Sequence, residues 1–274
     1  MFRRFWDVST SQYSGQLHVR EHNVYTKANV PPLVMLHAAP GSALMLSRLQ
    51  EKFSQPSYAI DSPGMGDSDA LKAASEPTIA DYADVIAAGI AAHLPAAPID
   101  VYGTLSGVRI ALALCARTDV QVRRVILDGI GIPKPEQLEE LLEAYAPPFA
   151  PDINGNHLLN TFLLCRDQYL FYPWYARDAE HRRPTGLPSA TALHTKTMES
   201  LKSAAAFRPL IRAAFRDDVE TALRNLKQPA LISADGSAVR PDYPVLDFPP
   251  VEPLTCPPDL LDKRVAAMQK FLAE

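Results

Sequence analysis

Ile99-Asp100-Val101-Tyr102-Gly103-Thr104-Leu105-Ser106-Gly107-Val108 changes its period in mid-course. The apolar run 99–102 is short enough for a buried strand, and a helical pattern covers 106–117, with Gly103 and Gly107 at the joint. Working outward, the same strand-then-helix grammar repeats. Apolar runs at 33–36, 58–60, 122–127 and 230–233, and a further one at 245–248, predict strands. Helical patterns at 43–53, 78–93 and 257–273 predict helices beside them. Such alternation predicts an α/β protein with a mostly parallel central sheet flanked by helices. An antiparallel pair, 2–8 with 16–22, is expected to open the chain.

The stretch 133–220 breaks the alternation, because it reads as helices and loops between the strands ending at 127 and beginning at 230. A helical insertion there would cover the carboxyl ends of the strands, where ligands bind in open α/β sheets. Eight of the 22 aromatic residues fall between Tyr145 and Tyr175. They suit either a small core for the insertion or the lining of an aromatic pocket. Within this stretch Arg166 and Asp167 sit beside Tyr169, Phe171, Tyr172 and Trp174, as ligand contacts or as a buried ion pair.

Composition narrows the classes of function. The chain has 274 residues, 47% hydrophobic and 21% charged, which suits a globular protein and excludes disorder and coiled coil. Its 27 Lys and Arg against 31 Asp and Glu give a net charge of −4 with no long basic run, so no nucleic-acid partner is expected. No apolar run approaches a membrane span and no signal peptide is visible, so no membrane partner is expected either. Cys115, Cys165 and Cys256 are widely spaced and form no metal pattern, which points to a reducing cytoplasm and no metal. Neither sequence period nor motif suggests an organic cofactor.

Three segments in order resemble the α/β-hydrolase family. Leu36-His37-Ala38-Ala39-Pro40-Gly41-Ser42 is similar to its HGxPG turn. Ile60-Asp61-Ser62-Pro63-Gly64-Met65-Gly66-Asp67-Ser68-Asp69 is similar to its DxPGxGxSD loop, and Gly103-Thr104-Leu105-Ser106-Gly107 stands where its G-x-S-x-G elbow belongs. The resemblance implies the α/β-hydrolase fold, with a core over 1–132 and 221–274 and a helical cap over 133–220.

It also implies an abnormal site. The nucleophile position falls on Leu105, and sliding the register by one residue would turn the side chain by about 100° around the helix. Ser106 is then expected to serve an oxyanion hole with Ala38 or Ala39, and a nucleophilic Ser106 is the rival reading. The acid position after the 230–233 strand falls on Ser237, with Asp235 two residues before it. No histidine follows His194, and counting back from the terminal helix puts Glu252 or its neighbours where the family has its histidine, with Cys256 a little further on.

His37 and Glu252 are the candidate bases, each set against a purely structural reading. Thr104, Arg166, Tyr169, Tyr172 and Trp174 are the candidate pocket residues. Arg109 is out of place on a helix expected to pack on the sheet, with Asp128 its candidate partner. Arg208, Arg212 and Arg216 share one helix face, either solvated or turned to an anionic substrate. The expected activity is non-covalent hydrolysis or lyase chemistry, by general acid and base, on a small carbonyl-containing or aromatic metabolite under the cap. A ligand-binding protein without catalysis and an esterase using Ser106 are the alternatives.

Overall fold

The computed structural model describes residues 1–11, 13–25, 30–72, 76–234 and 253–274. Strands β1 (Phe2–Ser9) and β2 (Ser14–His22) pair antiparallel from Phe2 opposite Glu21 to Ser9 opposite Ser14. Strands β3 (Leu33–Leu36), β4 (Ser57–Ile60), β5 (Ile99–Thr104), β6 (Val122–Ile130) and β7 (Ala230–Ala234) run parallel to one another. Their order across the sheet is β1-β2-β4-β3-β5-β6-β7. All residues of β3 and β5 are buried, as strands covered on both faces require. The strand expected at 245–248 lies outside the described residues.

Each covering helix follows from a local signal. The pattern at 43–53 yields a 3-10 turn (Ala43–Leu46) and a short α1 (Ser47–Gln50). At the head of α2 (Ile79–His93), Thr78 and Asp81 form a reciprocal capping box, which satisfies two donors that a helix start leaves free. Beyond the elbow runs α3 (Ser106–Cys115). Between β6 and β7 lie α4 (Leu138–Ala144), α5 (Asn156–Leu170), α6 (Ala190–Lys202), α7 (Ala204–Arg216) and α8 (Val219–Asn225), and the chain ends in α9 (Pro258–Ala273).

The core has two main bodies and a satellite. Residues of α2, α3, α7 and α8 pack on one face of the sheet, and α1 and α9 on the other. A third cluster, including Phe149, Leu164, Leu193 and Phe207, lies within the inserted helices. Helix α7 joins the bodies, because Leu210, Ala213 and Ala214 belong to the sheet-side core while Phe207 and Ile211 belong to the satellite. No helix among the described residues is long and apolar enough to cross a membrane.

Candidate functional site

The chain runs one way across the sheet from β3 to β4 and the other way from β5 onward, so the switch point lies between the carboxyl ends of β3 and β5. Two turns meet there: 37–42 after β3 and the elbow after β5. At the elbow Leu105 has φ 49° and ψ −113°, a left-handed conformation that costs a non-glycine residue roughly 1–3 kcal/mol. Packing imposes it. A Cβ on Gly107 would meet the carbonyl oxygens of Leu36 at 2.5 Å and His37 at 2.8 Å, and one on Gly103 would meet the Gly107 carbonyl oxygen at 2.6 Å. Only glycine at both positions lets α3 lie this close to β3 and β5. Leu105 is thereby lifted outward, 47% exposed, with its N–H donated to the Asp128 carbonyl at 2.9 Å.

Ser106 is the first residue of α3, and its hydroxyl turns toward the neighbouring turn. The Ala39 N–H donates to Ser106 Oγ at 2.8 Å. Of the expected oxyanion residues, Ala39 therefore has its amide engaged by the Ser106 side chain, whereas the Ser106 amide, at the head of a helix, has no intrahelical acceptor. Ala38 is buried and gives its carbonyl to His37.

His37 does not stand ready as a base. Its Nδ1 donates to the Ala38 carbonyl at 2.8 Å and its Nε2 accepts the Ser62 N–H at 3.0 Å, so no lone pair remains for a reactant. Burial lowers its pKa and keeps the ring neutral. It ties the turn after β3 to the loop after β4, which is a structural task. Asp235, Ser237 and Glu252 lie outside the described residues. Cys256 is buried, and burial raises its thiol pKa.

Sequence reading missed a polar network on the β3 and β4 side. Asp61, buried at the end of β4, accepts the Ala43 N–H at 2.6 Å, the Asp67 N–H at 2.9 Å and His18 Nδ1–H at 2.9 Å. Burial alone would raise its pKa, but the bond from His18 and the Asp67 amide outweigh that and hold it low. Arg3 donates to His18 Nε2 at 3.0 Å and pairs with Asp67, which also pairs with Lys202. On α6, Glu199 accepts the Ser42 hydroxyl at 2.5 Å, and Ser203, between α6 and α7, donates to the Gly41 carbonyl at 2.9 Å. His18, Asp61 and Asp67 are grouped closely enough to hold a cation, and the guanidinium of Arg3 and the ammonium of Lys202 already supply positive charge there. The inserted helices are thus wired directly to the turn after β3 and to the loop after β4.

On the β5 to β7 side, Asp128 accepts the Tyr102 hydroxyl at 2.7 Å and a bond from the buried Arg264 of α9. Arg109 is not its partner, because Arg264 already holds that carboxylate. Instead Arg109 reaches Gly131 and Asp217. A clue to Arg264 was present in the sequence: it falls at helical spacing among the buried Leu261, Val265 and Met268. Thr104 is buried against the Tyr102 hydroxyl.

The aromatic segment divides. Asp167, fully buried, is gripped by Arg166 Nε at 2.7 Å and Arg177 Nε at 2.8 Å. Tyr169 and Trp174 pack on the satellite core, with Lys196 5.2 Å from the Tyr169 ring centre and Trp174 donating to the Tyr145 carbonyl. Tyr172 is 48% exposed, and its ring lies 6.4 Å from that of Tyr145. Arg208, Arg212 and Arg216 are engaged with other parts of the chain. Arg208 bonds the carbonyls of Glu143 and Ala146 and Arg212 bonds that of Leu142, so these two clamp α7 to the end of α4, while Arg216 pairs with Glu76 ahead of α2.

Comparison with known proteins agrees with this geometry. A family model described as alpha/beta hydrolase fold matches residues 31–156. Among curated proteins, none matches the sequence significantly. A thermophilic esterase from Thermogutta terrifontis is similar in structure, with a TM-score of 0.69 and 16% identity over 100% of this chain and 98% of that one. The enol-lactonase from Burkholderia xenovorans LB400 gives 0.64 at 16% identity over 97% and 99%. An esterase from Exiguobacterium antarcticum gives 0.66 at 16% over 98% and 99%. The chain has the α/β-hydrolase fold.

Proposed function

We infer that this α/β-hydrolase-fold protein has a degenerate triad and acts without a covalent intermediate on a small carbonyl-containing or aromatic metabolite held under its helical cap. One observation carries the reading: the elbow keeps its strained geometry and glycine packing while its apex is leucine, which has no lone pair to attack a carbonyl. What remains for chemistry is polarisation by the Ser106 amide, and by the Ala39 amide once the Ser106 hydroxyl swings aside. The base that activates water or draws a substrate proton then comes from the segment after β7, with Asp235 and Glu252 the candidates. Esterases and lactonases among the similar folds support a carbonyl substrate. The three free, buried cysteines support a reducing cytoplasmic setting.

A second reading, a ligand-binding protein without turnover, is favoured by the same Ser106 contact and by the complete engagement of His37. Thermal-shift screening against aromatic acids, esters and lactones, followed by product analysis, separates the two. Saturable stabilisation with product formed that is abolished in E252Q or D235N supports catalysis. Saturable stabilisation with the ligand returned unchanged supports the binder, and a burst of covalently acylated protein overturns both.

A further inference from the structure

We propose that Arg109 is a positioning residue that fixes the stance of the inserted helices over the elbow by holding both ends of the insertion at once. Arg109 stands four residues after Leu105, one turn into α3 behind the apex. Its side chain is only 5% exposed, where a small residue would let α3 pack on the sheet without a buried charge. The guanidinium spans two joints. Nη2 donates to the Gly131 carbonyl at 2.6 Å, and Nη1 donates to the Asp217 carbonyl at 3.1 Å with the Asp217 carboxylate 3.7 Å away.

Those two carbonyls mark the start of the insertion after β6 and the turn between its helix α7 and α8. Gly131 follows the last residue of β6, and Asp217 follows the last residue of α7, just before α8 returns the chain toward β7. Nothing lies within 4 Å of the position a Gly131 Cβ would take, so Gly131 itself is held through its backbone, between Ile130 and Ile132, which pack on the sheet-side core. The Asp217 carbonyl also accepts the Val219 N–H at 3.0 Å, which starts α8 but does not bind the joint to α3. One planar, forked cation can bridge two carbonyls in fixed geometry, whereas an ammonium on a single stem satisfies them less rigidly. The far side of the insertion has separate ties, from Ser203 to Gly41 and from Glu199 to Ser42. Arg109 therefore governs the joints, and the α6 ties govern the opposite edge. This role holds whether the site catalyses or only binds.

Hydrogen exchange by mass spectrometry on the full chain tests it with R109M, R109K and D217N. R109M is expected to speed exchange about tenfold in peptides covering 130–134 and 215–220, while peptides over 33–36 and 99–104 keep their wild-type rates. R109K is expected to leave at least one of the two joints open despite its charge. D217N retains the backbone carbonyl and is expected to stay within about twofold of wild type at both joints. The proposal is overturned if R109K matches wild type at both joints, if D217N opens them as widely as R109M, or if R109M exchanges evenly faster throughout the sheet. Should R109M fail to fold, R109K and D217N decide by the same criteria.

Discussion

The carboxyl ends of β3 and β4 and those of β5 and β6 border one site but are built on opposite principles. On the first side, His37, Asp61, His18, Ser42 and Glu199 spend their polar atoms on one another and on backbone. On the second side, the most prominent position of the fold carries an exposed leucine at positive φ. The first region is polar and structural; the second keeps the shape of a reactive turn with an inert side chain at its tip. Residue type alone therefore misleads in both places, since a histidine beside the site is committed to the scaffold. What distinguishes them is what stands at the turns: engaged polar groups on the first side, an aliphatic side chain at the tip of the elbow on the second.

If that contrast is right, the first side should dominate stability. D61N replaces a buried carboxylate that accepts two backbone N–H bonds and one from His18, and it presents donors to donors. It is expected to lower stability by about 2–4 kcal/mol in urea unfolding, and a loss below about 1 kcal/mol would break the comparison.

Acid should weaken the same side. The pKa of His37 is lowered from 6.5 by burial, so below that value the unfolded state binds a proton that the folded state refuses. Its contribution is full above pH 6.5 and is lost as the pH falls through and below it. Asp61, also lowered, adds a second loss below its ordinary value of 3.8. The melting temperature should fall from pH 7 to pH 5, and H37Q should flatten that slope even if it starts lower; an unchanged slope in H37Q would assign the effect elsewhere.

The smallest expected effect sharpens the second side. L105G removes a strained left-handed leucine whose side chain is half exposed, and the relief should exceed the entropy that glycine costs in the unfolded chain. A gain of up to about 1 kcal/mol is expected. Clear destabilisation would mean that Leu105 packs against something essential.

Much of this was legible in the sequence. The strand expected over 99–102, which the structure extends to Thr104, follows from local period, and the apex between Gly103 and Gly107 from the resemblance of that segment to the family's elbow. The partner of Arg109 did not, because Asp217 is 108 residues away and both Asp128 and Asp217 are acids at element ends. The ties between Ser42 and Glu199, 157 residues apart, depend on how α6 sits over the turns, which no local pattern encodes. The arginines at 208, 212 and 216 share one helix face, but the first two meet carbonyls at the end of α4 and the third meets Glu76. Periodicity reports which residues share a face, and only tertiary packing says what the face meets.

Intact-protein mass spectrometry after incubation with a reactive fluorophosphonate tests the inert apex most directly. The account predicts an unchanged mass for the wild-type chain. A stoichiometric adduct that maps to Ser106 would contradict it.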